Sequence, residues 1–259
     1  MSEADLDGCH VLVTRPAGQA DPLIDAIREA GGEAVHFPAI RIIGRNDDDI
    51  HDELSAIASP DILIFVSRNA VTCGFASTSQ FDASIAAVGP ATRAALEERG
   101  ATVDIFPATG YDSEGLLDHP RLARVEGKTI IIVRGENGRE VLADTLRERG
   151  ATVRHLTVYR RERAEPEPEL VASVGQAIER GDFDYISIMS TETLNHLLAL
   201  LPPGARRALR ETPLVAPGER VIQRALERVP DNPALAASGP TPADIVSAIA
   251  GAWRPGKES

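Results

Sequence analysis

Two cysteines, Cys9 and Cys73, are too few for a disulfide framework, and without a Cys-x-x-Cys spacing they do not make a zinc site. A reducing cytoplasm is the compartment this usage suggests. Aromatic residues are equally scarce at 4%, so the strands must be built from Val, Ile and Leu. That is the composition of buried parallel strands. Positive charge is in short supply: 27 Lys plus Arg stand against 39 Asp plus Glu, a net charge of −12, which opposes a nucleic-acid scaffold held by phosphate neutralisation. No run of 18 apolar residues occurs and the opening residues are acidic, so neither a membrane span nor secretion is expected. The histidines, His10, His36, His51, His119, His155 and His196, show no ligand spacing, and no metal is expected. Gly127-Lys128-Thr129 lacks the earlier glycine of a phosphate-binding loop, since position 122 is Leu, and it precedes a strand. Gly135–Arg139 lacks the dinucleotide fingerprint. No nucleotide is expected.

What the chain does have is alternation. Apolar runs at Val11–Thr14, Ile62–Val66, Ile85–Val88, Thr129–Val133 and Ile186–Met189 are each followed by small or polar residues and then a helical pattern. Helices are predicted near 19–30, 69–77, 90–99, 139–149, 191–201, 219–228 and 242–252, with short strands near 103–106 and 214–216. Shifting the sequence by 119 aligns residues 8–41 with 127–160, and nine of 34 positions match, where chance gives about two. Similarity continues with Asp61–Ser67 against Asp184–Ser190 and Ser113–Leu117 against Thr241–Ile245, so two copies of one β-α unit fill the chain. The run Glu165–Glu169, acidic and punctuated by proline, reads as an exposed connector. Just before it lies His155–Arg161, whose repeat partner is His36–Ile42. If these runs pair, they form a two-strand bridge carrying the matched pair His36 and His155.

Small polar residues recur after the strands: Thr14, Ser67, Gly89 with Thr92, Ser113, Asn137, Ser190 and Thr241. In a doubly wound sheet such positions line the ligand crevice, and helix N-termini bind anions there. Helix capping explains any one of them equally well. Arg15, Arg68, Arg93, Arg134, Arg139 and Arg161 lie at or beside these turns, and the whole set points to a polyanionic ligand held between domains.

The ordered set also resembles a known family. Val11–Pro16 with Gly18, Phe37-Pro38-x-Ile40, Asp61–Ser67 followed by Asn69-Ala70-Val71, and Val88-Gly89 with Thr92 are similar to successive stretches of the uroporphyrinogen-III synthases. Ser113-Glu114-x-Leu116-Leu117, Arg134-Gly135 with Gly138-Arg139, Val158-Tyr159-x-Arg161, and Ser190 after an apolar strand continue the match along essentially the whole chain.

The resemblance implies two flavodoxin-like, doubly wound α/β domains with parallel sheets, joined by a two-stranded β bridge. Residues 1–36 plus 164–259 would form domain one and 43–154 domain two, with 37–42 and 155–163 as linker strands. It implies a cofactor-free lyase that cyclises hydroxymethylbilane, a linear tetrapyrrole with eight carboxylates, expelling water and inverting the last pyrrole ring. The protein's task would be to control conformation more than to supply reactive groups. Tyr159 aligns with the family tyrosine offered as proton donor or orienting group, on the second bridge strand facing the cleft. Thr14, Arg15, Ser67, Gly89, Thr92, Ser113, Arg134, Gly135, Asn137, Arg139, Arg161, Ser190 and Thr241 would bind substrate. One departure stands out: where many relatives repeat Gly-x-x-Thr, this chain has Ala216-Pro217-Gly218-Glu219-Arg220, and Arg220 is expected to replace the hydroxyl. A cytoplasmic monomer without nucleic-acid or membrane partners is expected. The competing reading is a non-catalytic two-lobed protein that binds small anions.

Overall fold

The computed structural model describes residues 5–57 and 59–254. They divide into two compact units, residues 1–41 with 162–259 and residues 42–161. Unit 1 opens with β1 (His10–Val13), α1 (Asp21–Glu29) and β2 (Glu33–His36), after which β3 (Ile40–Gly44) leads the chain into unit 2. There follow α2 (Asp47–Ser55), β4 (Ile62–Phe65), α3 (Arg68–Thr78), β5 (Ser84–Ala87), α4 (Pro90–Glu97), α5 (Ser113–Leu117), α6 (Pro120–Ala123), β6 (Thr129–Gly135) and α7 (Val141–Glu148). The long β7 (Thr152–Arg163) brings the chain back. Unit 1 is completed by α8 (Pro168–Arg180), β8 (Tyr185–Ser187), α9 (Thr191–Leu200), α10 (Pro203–Ala208), β9 (Leu214–Ala216), α11 (Glu219–Leu226), β10 (Leu235–Ala236) and α12 (Pro242–Ala252).

Each unit is an α/β layer structure around one mainly parallel sheet. Unit 1 has the strand order β10-β9-β8-β1-β2, and unit 2 the order β3-β7-β6-β4-β5. The strands are short, apolar and covered on both faces, so their sequences do not alternate: Ile62–Phe65 is buried throughout. In unit 1, Leu12, Ile186 and Leu214 face a core with α8 to α11, while Val11, Val13 and Val215 face α1 and α12. In unit 2, Ile62, Ile64, Ile130 and Ile132 face α5 to α7, and Leu63, Phe65, Ile131 and Val133 face α2 to α4.

The repeat has a structural meaning. The first copy supplies β1 and β2 to unit 1 but β4 and β5 to unit 2; the second supplies β6 and β7 to unit 2 but β8, β9 and β10 to unit 1. Each sheet therefore holds strands from both copies. Equivalent residues do equivalent work: the Asp61 carboxylate accepts the Thr129 N–H and the Asp184 carboxylate accepts the His10 N–H, each capping the neighbouring strand's first donor at 2.8 Å.

Three expectations needed correction. The run at 103–106 makes only an isolated bridge, Ala86 with Ile105. Glu165–Glu169 is not wholly connector, because α8 starts at Pro168, where a missing N–H costs nothing. The equivalent runs around His36 and His155 also behave differently. Pro38 interrupts the first copy, separating β2 from β3, whereas Thr157 at the matching place lets β7 run unbroken for 12 residues. His36 and His155 consequently lie in the parallel part of each sheet, opposite Val13 and Ile132. Beyond that point β3 and β7 are neighbours. The Arg45 N–H bonds the Val158 carbonyl and the Ala164 N–H bonds the Ala39 carbonyl, a register that runs antiparallel. Among the described residues no helix is long and apolar enough to cross a membrane.

Candidate active site

Ligands of open α/β sheets bind beyond the carboxyl ends of the strands, where the strand order reverses. That point lies between β6 and β4 in unit 2, and between β1 and β8 in unit 1. The two places are built differently.

In unit 2, Ser67 follows β4 in extended conformation and caps α3, its Oγ accepting the Ala70 N–H at 3.1 Å. The same oxygen lies 3.2 Å from Tyr159 Oη. A register shift between Arg134 and Gly135 brings Tyr159 opposite Gly135. Glycine is required there: a methyl group at 135 would sit 2.6 Å from Tyr159 Cζ and 3.0 Å from Oη. Tyr159 is 4% exposed and belongs to a core that includes Phe65, Val133 and Leu156. Two residues further along β7, the Arg161 guanidinium lies 5.7 Å from the ring centroid, and its Nη2 donates to Oη at 3.4 Å. Tyr159 is thus a mostly covered phenol with a hydroxyl and a guanidinium at its oxygen, not an openly displayed side chain. Gly89 caps α4 without a side chain, and Thr92, three residues on, is almost fully buried.

Arg134 was expected to meet a ligand, but its guanidinium is spent internally. It is buried, donates to Glu140 at 2.7 Å and to the Gly135 carbonyl at 3.3 Å, and lies 3.4 Å from His155 Nε2. A methyl group at Gly138 would reach within 2.5 Å of Nη2, so the turn closes directly over the guanidinium. The hydrogen bond from Arg134 holds the Glu140 carboxyl below its usual range. Burial, with Arg134 second, pushes His155 below its ordinary value. Asn137 is exposed on this turn, and Arg139 pairs with Glu114 at 3.0 Å. Two further turn arginines are engaged likewise, Arg68 with Glu98 and Arg93 with Glu97.

Unit 1 differs at the same points. Thr14 is fully buried and its hydroxyl donates to the Ser187 carbonyl, so its side chain presents nothing to a ligand. The half-buried Arg15 donates from Nη2 to the Pro240 carbonyl at 2.8 Å, and His36 Nε2 donates to the Arg15 carbonyl at 2.9 Å. Ser190 repeats Ser67 as the cap of α9, bonded to the Thr193 N–H and 3.0 Å from the Thr193 hydroxyl. Thr241 caps α12 in a reciprocal capping box with Asp244.

Two expected residues shift by one position. Ser113 is the first residue of α5, and its cap is Asp112, whose carboxylate accepts the Gly115 N–H. The matching burial of Leu116 and Leu117 with Ile245 and Val246 confirms that Asp112, not Ser113, is the counterpart of Thr241. Gly218 stands before α11 as Gly89 stands before α4, and the residue three places on is Val221 instead of a threonine. Arg220 stands one place earlier and is exposed. Sequence reading also missed Glu140; only its place six residues after a strand-end arginine could have suggested it. Among the described residues no group of three His, Cys, Asp or Glu side chains is arranged to hold a metal.

Together these features define an α/β protein with hydroxyls and helix N-termini at the carboxyl ends of parallel strands. The profile of the family described as Uroporphyrinogen-III synthase HemD matches residues 21–247. The chain is 31% identical over 225 residues to the uroporphyrinogen-III synthase of Escherichia coli (strain K12), covering 84% of this chain and 90% of that protein. It is 32% identical over 158 residues to that of Proteus mirabilis, covering 58% and 79%. Among solved structures, uroporphyrinogen-III synthetase from Helicobacter pylori 26695 superposes with a TM-score of 0.60 at 11% identity, covering 92% of this chain and 97% of that one. A mutant uroporphyrinogen III synthase from the extremely thermophilic bacterium Thermus thermophilus gives 0.56 at 19%, covering 92% and 96%. The chain belongs to the uroporphyrinogen-III synthase family, whose members are cyclising lyases of porphyrin biosynthesis.

Proposed function

We propose that the protein converts hydroxymethylbilane to the inverted, type III macrocycle with loss of one water and no cofactor. The family match over residues 21–247 carries this reading, and the phenol–hydroxyl–guanidinium cluster supports it. Hydroxymethylbilane loses its terminal hydroxyl as water once that oxygen gains a proton, leaving an electrophilic azafulvene that the electron-rich pyrroles attack. Tyr159 donates the proton or orients the departing hydroxyl, and the Ser67 hydroxyl and Arg161 guanidinium hold the phenol oxygen in place. When the substituted carbon of the last ring attacks first, a spiro intermediate forms, fragments and recloses with that ring inverted. The proton released on rearomatisation balances the one consumed. A phenol is a weak acid, so its part is worth about tenfold to a hundredfold, and most of the selectivity comes from holding the chain in one conformation.

The eight carboxylates suit the helix N-termini, hydroxyls and backbone donors at the strand ends. Each charge-assisted hydrogen bond contributes about 1.5–3 kcal/mol, so a handful suffices. The reading includes two flavodoxin-like domains, residues 1–36 with 164–259 and residues 43–154, joined by linker strands at 37–42 and 155–163. A cytoplasmic monomer that acts on a small molecule, without nucleic-acid or membrane partners, completes it. The test is incubation with freshly prepared hydroxymethylbilane and separation of the type I and type III products. An excess of type III is expected, and a product mixture identical to the buffer blank would refute the reading.

A further inference from the structure

The repeat places one arginine at each strand-order reversal, Arg15 after β1 and Arg134 near the end of β6, and their surroundings have diverged. Arg134 has its own counter-anion, Glu140 at 2.7 Å, along with the Gly135 carbonyl. The residue matching Glu140 is Asp21, one methylene shorter, and it forms no ion pair with Arg15. Among the described residues the Arg15 guanidinium has a single hydrogen bond, to the Pro240 carbonyl, and no carboxylate partner. Its Nε is buried without any hydrogen-bond partner, and the Ser187 Oγ is the other orphaned side-chain atom among them. Both belong to the same end of the neighbouring strands β1 and β8, since Ser187 pairs with Val13. Buried polar groups are almost always satisfied, so an orphaned guanidinium nitrogen on the partly exposed Arg15, at a strand-order reversal, points to a ligand, whereas the fully buried Ser187 cannot reach one. Burial of the guanidinium lowers its proton affinity, the sense expected of a cation lacking an anion.

We propose that Arg15 is the receptor for one carboxylate arm of the ligand, whereas Arg134, already neutralised by Glu140, positions the 135–139 turn and takes no ligand. A carboxylate suits the fork of a guanidinium better than a ring or a cation does, because two parallel N–H···O bonds can form. The inference rests on the proposed polycarboxylate substrate but is tested separately from turnover.

The probe is uroporphyrin, a stable octacarboxylate macrocycle, titrated by fluorescence against wild type, Arg15→Met, Arg15→Lys and Glu140→Gln at several salt concentrations. Arg15→Met should weaken binding about tenfold to a hundredfold, as expected for one charge-assisted contact, and should flatten the salt dependence. Arg15→Lys should restore part of the affinity, which also shows that the loss does not come from misfolding. Glu140→Gln should lower the melting temperature without weakening binding. Affinity within twofold of wild type in Arg15→Met, equal losses in Arg15→Met and Glu140→Gln, or no binding by wild type would each overturn the proposal. Product assays on the same proteins keep the two ideas apart. A wild type that binds uroporphyrin through Arg15 yet forms no type III product sinks the catalytic reading alone. An active enzyme indifferent to Arg15→Met sinks the receptor alone.

Discussion

Replacing Gly135 by Ala tests whether the position of the Tyr159 oxygen matters to the reaction. The added methyl would lie 2.6 Å from Cζ, 2.8 Å from Cε2 and 3.0 Å from Oη. Comfortable carbon contacts begin near 3.5 Å, so the ring must withdraw by about 1 Å. The 3.2 Å approach of Ser67 Oγ would then open towards or beyond 4 Å, where no hydrogen bond remains. The residue at 135 does not occupy the left-handed region, so alanine strains no backbone torsion and the effect is steric. Overpacking should cost roughly 1–3 kcal/mol of stability, and a displacement of this size can slow a positioned reaction by up to about a hundredfold. Type III formation from hydroxymethylbilane is the assay, run beside Tyr159→Phe and the double variant. Because Gly135→Ala displaces the oxygen that Tyr159→Phe deletes, the double variant should be about as slow as Tyr159→Phe alone. Gly251→Ala, with open space around the new methyl, is the control for glycine replacement as such. A wild-type rate in Gly135→Ala, or losses that multiply in the double variant, would refute the assignment of Tyr159.

Ser67→Ala and Ser190→Ala remove equivalent helix caps, so each should cost about 1 kcal/mol and lower the melting temperature alike. Only Ser67→Ala also loses the Tyr159 contact, so it should slow turnover more than Ser190→Ala does in the product assay. Asp112→Ala should destabilise by a similar amount while Ser113→Ala does not, a comparison that thermal unfolding decides. His155 has a folded pKa below the ordinary 6.5. The unfolded chain therefore binds the extra proton first, and stability falls as pH drops through about 6.5 and below. Arg134, Glu140, Arg147 and Asp144 face this imidazole. Glu140, also depressed, extends the acid loss below its usual range near 4.5. His155→Gln should flatten the melting-temperature profile between pH 6.5 and 5, and an unchanged slope would remove His155 from the account.

Much of the fold was legible because its signals are local. Non-alternating apolar runs such as Ile62–Phe65 reveal strands buried on both faces, and Gly31 and Gly150, both at positive φ, mark the ends of matching helices. The helix α8 was missed although its signs were present, with Pro168 at its first position and Leu170, Val171, Val174 and Ile178 on one side. Proline was read as a breaker where it was a start.

By itself, the sequence determined the α/β class, the duplication and the family, since each depends on residue order and periodicity along the chain. Only the tertiary structure decided which polar groups are already satisfied. Arg15 and Arg134 look the same in the repeat, yet Glu140 neutralises one and nothing described neutralises the other. Thr14 and Ser67 both follow strands, yet one hydroxyl is sealed against a carbonyl and the other reaches a phenol. Hydrogen-bond partners lie across strands and turns from distant parts of the chain, and spacing along the backbone carries no record of them.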